Sequence, residues 1–151
     1  MIKRVFTMVL LVLLVNLCGL GCCLNNSPVD YMKTIHVQKE GYDGITIYFI
    51  LADKNGRSTA SNGTMDLTIT DSKTRIPMLF LSGNVSESDF VEATLGLGAF
   101  AHNDTILYLG RIPYSKMYFV PSDEYAKGDV TIVFTTPDNR SLEGTESVYL
   151  R

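Results

Sequence analysis

Three stretches of this chain alternate between apolar and polar residues, and that period of two limits the available folds more than any other feature. Ile45, Ile47, Phe49 and Leu51 are separated by Thr46, Tyr48 and Ile50. Met65, Leu67 and Ile69 alternate with Thr64, Asp66, Thr68 and Thr70, and Val130, Ile132 and Phe134 with Thr131, Val133 and Thr135. Successive side chains of a strand point to opposite faces, so each stretch makes one face for a core and one for water. Ile35 and Val37 begin a further strand, Ile76 to Leu81 and Ile106 to Leu109 supply two more, and Val148 and Leu150 end the series. Turn residues lie between them: Gly41-Tyr42-Asp43-Gly44, Asp53-Lys54-Asn55-Gly56, Ser61-Asn62-Gly63, Ser82-Gly83-Asn84, His102-Asn103-Asp104 and Pro137-Asp138-Asn139. Asn-Gly suits hairpin turns because both central residues need positive φ. No amphipathic helix of useful length is present. Ser86 is placed to cap one helical turn over 86–93, with a short strand at Phe90 and Val91 as the alternative. Seven or eight short strands separated by turns predict an all-β fold, a single antiparallel sandwich over residues 33–151.

The N-terminus has a different character. Lys3 and Arg4 precede Val5 to Gly21, a run with no charge and only Thr7 and Asn16 as clearly polar residues. A basic lead, an apolar middle and small residues at the end describe a secretory signal peptide over 1–21. A retained membrane helix is the alternative, since the apolar run reaches about 20 residues if carried to Leu24. The only cysteines, Cys18, Cys22 and Cys23, all fall here. The remainder therefore has neither a disulfide framework nor a zinc-ligand pattern.

The stretch Gly19-Leu20-Gly21-Cys22 resembles the lipobox of prokaryotic lipoproteins, in which a small residue precedes a lipid-bearing cysteine. The family usually has a large aliphatic residue where Gly19 stands. Leu20-Gly21-Cys22-Cys23 restores that residue but places a cysteine where a small uncharged one belongs. The resemblance implies lipid attachment at Cys22, with Cys23 as the alternative, and a tether over 22–32. Two or more acyl chains hold a protein at a membrane stably, whereas one does so only marginally. The strand count and spacing resemble immunoglobulin-like and fibronectin-III-like domains, without the Cys…Trp…Cys signature, since there is no Trp; transthyretin-like and other seven- to eight-stranded sandwiches are alternatives with the same spacing. The segments Gly96-Leu97-Gly98-Ala99-Phe100, Gly110-Arg111-Ile112-Pro113-Tyr114 and Thr136-Pro137-Asp138-Asn139-Arg140 look like small exported archaeal and bacterial proteins, a similarity that implies no activity.

Without residues 1–21 the chain keeps all 16 acidic residues and loses two of its 13 basic ones, a net charge near −5. A modest acidic balance without a basic stripe argues against a nucleic-acid partner. Asn-x-Ser/Thr sequons occur at Asn25, Asn62, Asn84, Asn103 and Asn139. Each is a candidate glycosylation site, and each also consists of ordinary turn residues. Together with the lipobox-like stretch they point to an archaeal surface protein.

Candidates for chemistry are few. His36 is expected to face solvent, and His102 lies 66 residues further on, with no H-x-H pattern. Asp53-Lys54-Asn55-Gly56 lacks the oxygen ligands and closing Glu of a calcium loop and reads as a turn. Asp123, Glu124 and Asp129 form a weak Ca²⁺ candidate. Gly96-Leu97-Gly98 lacks the strand–turn–helix setting of a dinucleotide site, and there is no G-x-S-x-G elbow. The remaining constellation is Tyr114, Tyr118, Phe119 and Tyr125, beside Pro113 and Pro121. Such residues either plug one end of a sandwich or present a binding surface. The sequence thus leads to a non-enzymatic, cofactor-free, lipid-anchored surface domain that binds an unidentified protein or glycan, or has a structural role. An alternative is an accessory or inhibitor-like module docking on one envelope protein through an edge strand or aromatic loop.

Overall fold

The computed structural model describes residues 28–93, 105–122 and 125–150. Residues 1–21, Cys22, Cys23, Asn25, the 96–98 segment, His102, Asn103, Asp123 and Glu124 lie outside the described residues. The described residues form nine strands: β1 (Tyr31–Glu40), β2 (Gly44–Ala52), β3 (Ser58–Thr59), β4 (Gly63–Asp71), β5 (Pro77–Val85), β6 (Phe90–Glu92), β7 (Ile106–Pro113), β8 (Lys127–Thr135) and β9 (Ser141–Tyr149). The count exceeds seven or eight because β3 and β6 have only two and three residues.

Two antiparallel sheets result. One has the order β1-β2-β7-β6, with β3 on β2, and the other β5-β4-β8-β9. This is the strand order of the immunoglobulin-type sandwich, with β5 as an added strand on the second sheet. The alternating residues meet between the sheets. Ile45, Ile47, Phe49 and Leu51 of β2 face Leu67 and Ile69 of β4 and Val130, Ile132 and Phe134 of β8, all 3% exposed or less. Phe49 stacks on Tyr108 at 4.8 Å and meets Phe90 edge-on at 5.8 Å. Burying each such side chain is worth about 1.5–3 kcal/mol, so this layer holds the sheets together. Val29 is also buried in this core, and β1 begins at Tyr31, so the folded part starts a few residues before position 33.

Local expectations fared unevenly. Ser86 caps a single 3-10 turn, Glu87–Asp89, with Asp89 completing a capping box, and Phe90 then starts β6. Both alternatives for that segment are therefore realised in succession. Gly41 and Gly56 take positive φ in their turns, as does Asn139 between β8 and β9. Ser82-Gly83-Asn84 is not a turn; it continues β5 opposite Asp66, Met65 and Thr64. Asn62-Gly63 is not a hairpin either, because the chain crosses there from β3 in one sheet to β4 in the other.

Candidate binding surface

Backbone hydrogen bonds tie together the strand ends at one pole of the sandwich. Tyr114 donates its N–H to Asp43 O (2.9 Å) in the β1–β2 turn and its hydroxyl to Leu150 O (2.7 Å) after β9. Tyr118 N–H is donated to Met78 O (2.8 Å) at the start of β5, and Leu150 N–H to Ala126 O (2.8 Å) before β8. The connection from β7 to β8 thus covers this end of the sandwich. Met117 is buried, while Tyr114 and Val120 are half-buried against the core.

The aromatic constellation therefore divides. Tyr114 belongs to the plug, because its ring packs inward and its hydroxyl satisfies a buried carbonyl. Tyr118 and Tyr125 are 71% and 76% exposed, and Phe119 is also exposed. Tyr42, 93% exposed in the β1–β2 turn, and Tyr149, at the end of β9, share this pole. Sequence reasoning missed both. The Gly-Tyr-Asp-Gly turn was a usable signal for Tyr42, but nothing local marks Tyr149, whose position depends on strand order.

The surface around these rings is grooved. A cavity of ≈ 480 Å³ is lined by Lys39, Tyr42, Tyr114, Val120 and Leu150. A second, of ≈ 340 Å³, runs between the β4–β5 turn at Asp71–Thr74 and Pro121, Tyr125 and Lys127. Lys39 Nζ lies 5.6 Å from the Tyr42 ring centre and Lys127 Nζ 4.3 Å from that of Tyr149. Rigid rings with cations at their margins can bury large area at low entropic cost and accept polar partners at their edges.

Two carboxylates near this pole, Asp71 and Asp129, are committed to the fold. Asp71 accepts from the Thr74 hydroxyl and from the N–H groups of Lys73 and Thr74, and the hydroxyl above all holds its carboxyl below the usual range. Asp129 accepts from Ser147 Oγ and Ser72 Oγ (2.6 Å each) and from Arg75 (2.7 Å). These bonds, the Ser147 hydroxyl foremost, lower its pKa. Of the Ca²⁺ candidates only Asp129 is described, and its oxygens are already filled by hydroxyls and a guanidinium. Among the described residues no three His, Cys, Asp or Glu side chains come together as a metal site.

A larger cavity, ≈ 530 Å³, lies at the opposite pole between Pro28, Val29, Asp53, Asp138 and Arg140. Its polar groups close turns. Asp53 Oδ1 accepts from Arg57 N and Asn55 N, and Asp138 is held by the Thr136 hydroxyl and Arg140. Arg140 also donates to Val29 O, fixing the incoming chain. Volume alone would favour this cavity, but its carboxylates and Arg140 are already engaged, Asp53 and Asp138 in their turns and Asp30 with Arg140 (3.7 Å), while Lys54 also lines it.

His36 does not face open solvent as expected. Its side chain is 18% exposed, stacked on Tyr48, and its Nδ1 lies 3.2 Å from Glu146 Oε1. The reason is tertiary: β9 of the other sheet runs beside β1, and Glu146 Oε2 also accepts Val37 N–H (2.9 Å). The pair closes a seam between the sheets. Asn62, Asn84 and Asn139 are all exposed, in the β3–β4 crossing, on β5 and in the β8–β9 turn. All three lie towards the Pro28 pole, away from the aromatic rings.

Comparison with known proteins gives no match: no family model, no curated protein and no solved structure matches this chain. The site must therefore be read from its own chemistry.

Proposed function

We propose that this protein is an exported, lipid-anchored surface domain with a binding or structural role and no catalytic one. In this reading the lipid is on Cys22, or on Cys23, and the sandwich stands on the outer face of the cell membrane. The observation that carries the reading is polarity. Five exposed aromatic side chains, Tyr42, Tyr118, Phe119, Tyr125 and Tyr149, gather at the pole opposite the one where Pro28 enters, compared with Tyr31 at the entry pole. A tether at the entry pole would hold those rings outward, where an envelope protein or glycan can meet them. The lipobox-like stretch and the five sequons support an archaeal surface location. Sugars at Asn62, Asn84 and Asn139 would leave the aromatic pole bare.

The test is a double variant, Tyr118→Ala with Tyr125→Ala, expressed in the native cells. A stoichiometric partner that co-purifies with the parent and is lost from an equally stable variant agrees with the reading. Retention of that partner by the variant removes the aromatic pole as its site.

A further inference from the structure

The sheet edges of this sandwich are not equally protected. Along β1, Val37 N–H is taken by Glu146, and Met32 and Ile35 pack against Gly144 of β9. The edge strand β9 carries Glu143 and Glu146, and β6 is three residues long and includes Glu92. The remaining edge, β5, reads Pro-Met-Leu-Phe-Leu-Ser-Gly-Asn-Val and has no charge. Among the described residues only its beginning is covered, by Tyr118 N–H on Met78 O. From Phe80 to Asn84 every residue is exposed. An unprotected, uncharged edge strand is a template for another strand.

The outward backbone groups of this edge follow from the bonds of β4. Asp71 donates to Ile76 O on the β5 side, and Ser72 to Lys127 O on the β8 side. Stepping back by twos along β4, Ile69, Leu67 and Met65 turn their backbone groups towards β5. Their partners are Leu79, Leu81 and Gly83. Phe80, Ser82 and Asn84 therefore direct their N–H and C=O groups away from the sheet.

We propose that β5 pairs with β5 of a second copy of this chain, antiparallel about a two-fold axis at Ser82. In that register Ser82 faces Ser82, Phe80 faces Asn84 and Leu81 faces Gly83. Three outward residues on each copy give about six hydrogen bonds and join the two four-stranded sheets into one. Self-pairing suits this strand for two reasons. Any charge close to a two-fold axis meets its own image; β5 has none, and the nearest carboxylate, Asp66, is set back on β4 with the Ser82 hydroxyl bonded to it (2.5 Å). The position of a Cβ on Gly83 has nothing within 4 Å, and Leu81 of the other copy, 42% exposed when unpaired, lies opposite that space. The contact is small, so the dimer is weak, with Kd on the order of micromolar or above. A sugar on Asn84 would stand opposite Phe80 of the other copy, so the pairing belongs to the chain with Asn84 bare. The two-fold also places the two Pro28 poles at opposite ends of the dimer.

The proposal is argued from the sheet edge alone and concerns the domain free of its tether and with Asn84 bare, since two copies anchored at their Pro28 poles in one membrane could not pair in this way. Its test is sedimentation equilibrium of residues 28–151, which include the whole sandwich, made in a host without N-glycosylation. The expected result is a monomer–dimer equilibrium. Ser82→Pro removes an outward N–H, leaves every backbone bond to β4 in place, loses only the Ser82 hydroxyl's bond to Asp66 (2.5 Å), and is expected to be monomeric throughout. Ser82→Lys, which keeps the N–H, places two ammonium groups at the axis, each partly offset by its own Asp66 carboxylate, and is expected to weaken the dimer less than Ser82→Pro does, with partial recovery in salt. A parent protein that is monomeric at every concentration overturns the proposal. So does a dimer indifferent to both substitutions, or a β5 that binds only an extended segment of a different protein.

Discussion

Tyr114 and Tyr118 lie four residues apart in one connection, yet their truncations should differ sharply. The Tyr114 ring packs against the core, and its hydroxyl is the donor to Leu150 O, on a residue that is fully buried. Truncating a buried aromatic residue to Ala costs about 3–5 kcal/mol. Half-burial brings Tyr114→Ala to the lower end, about 3 kcal/mol. Tyr114→Phe isolates the hydroxyl and should cost about 1 kcal/mol, because the Leu150 carbonyl loses its partner. Tyr118 is 71% exposed, so Tyr118→Ala should cost less than about 1 kcal/mol. The assay is urea unfolding of residues 28–151, followed by fluorescence and circular dichroism to check two-state behaviour. The slope with urea should stay constant while the midpoint moves. If Tyr118→Ala destabilises as much as Tyr114→Ala, the exposed ring is part of the lid and the aromatic pole loses its standing as a surface for partners.

Acid should destabilise the fold in a defined window. The carboxyls of Asp53, Asp71, Asp129 and Asp138 all sit below their ordinary range, held by hydrogen bonds from turn amides and hydroxyls. A depressed carboxyl stabilises the fold fully above its unfolded pKa of about 4, and that contribution is lost as pH falls through the folded value. The urea midpoint should thus be level above about pH 5 and fall steeply below about pH 4; a level profile down to pH 2 would refute this. Gly44→Ala should lower stability by about 3 kcal/mol or more, since the new Cβ would stand 2.3 Å from the Ile112 carbonyl oxygen. Calorimetry reading an unchanged Tm would show that the β2–β7 contact is looser than a 2.3 Å approach implies. Glu146→Ala should leave Val37 N–H without its acceptor and cost about 1–2 kcal/mol, with faster amide exchange at Val37. Unchanged exchange there would mean that Glu146 does not protect the β1 edge.

The strands of the core were legible because each has one dry face. Ile45 to Leu51 and Val130 to Phe134 announce themselves by spacing, and the structure buries those residues as the spacing requires. Ser82-Gly83-Asn84 misled because an edge strand bonded on one side needs no apolar pattern at its exposed end, and its residues resemble a turn. The two poles were only half legible. Tyr118 and Tyr125 stand out beside prolines in a long connection, but Tyr42 and Tyr149 join them only through the order in which strands assemble. The His36–Glu146 contact joins residues 110 apart in sequence, from different sheets, and no local pattern encodes it.

The central claim is that the polar stretch before Pro28 ties this sandwich to a membrane. Intact-mass measurement of the protein purified from its native membrane tests it most directly. A mass equal to a chain beginning at Cys22 plus lipid, with any further mass in sugar units, is the predicted result. A chain that still begins at Met1 would contradict it.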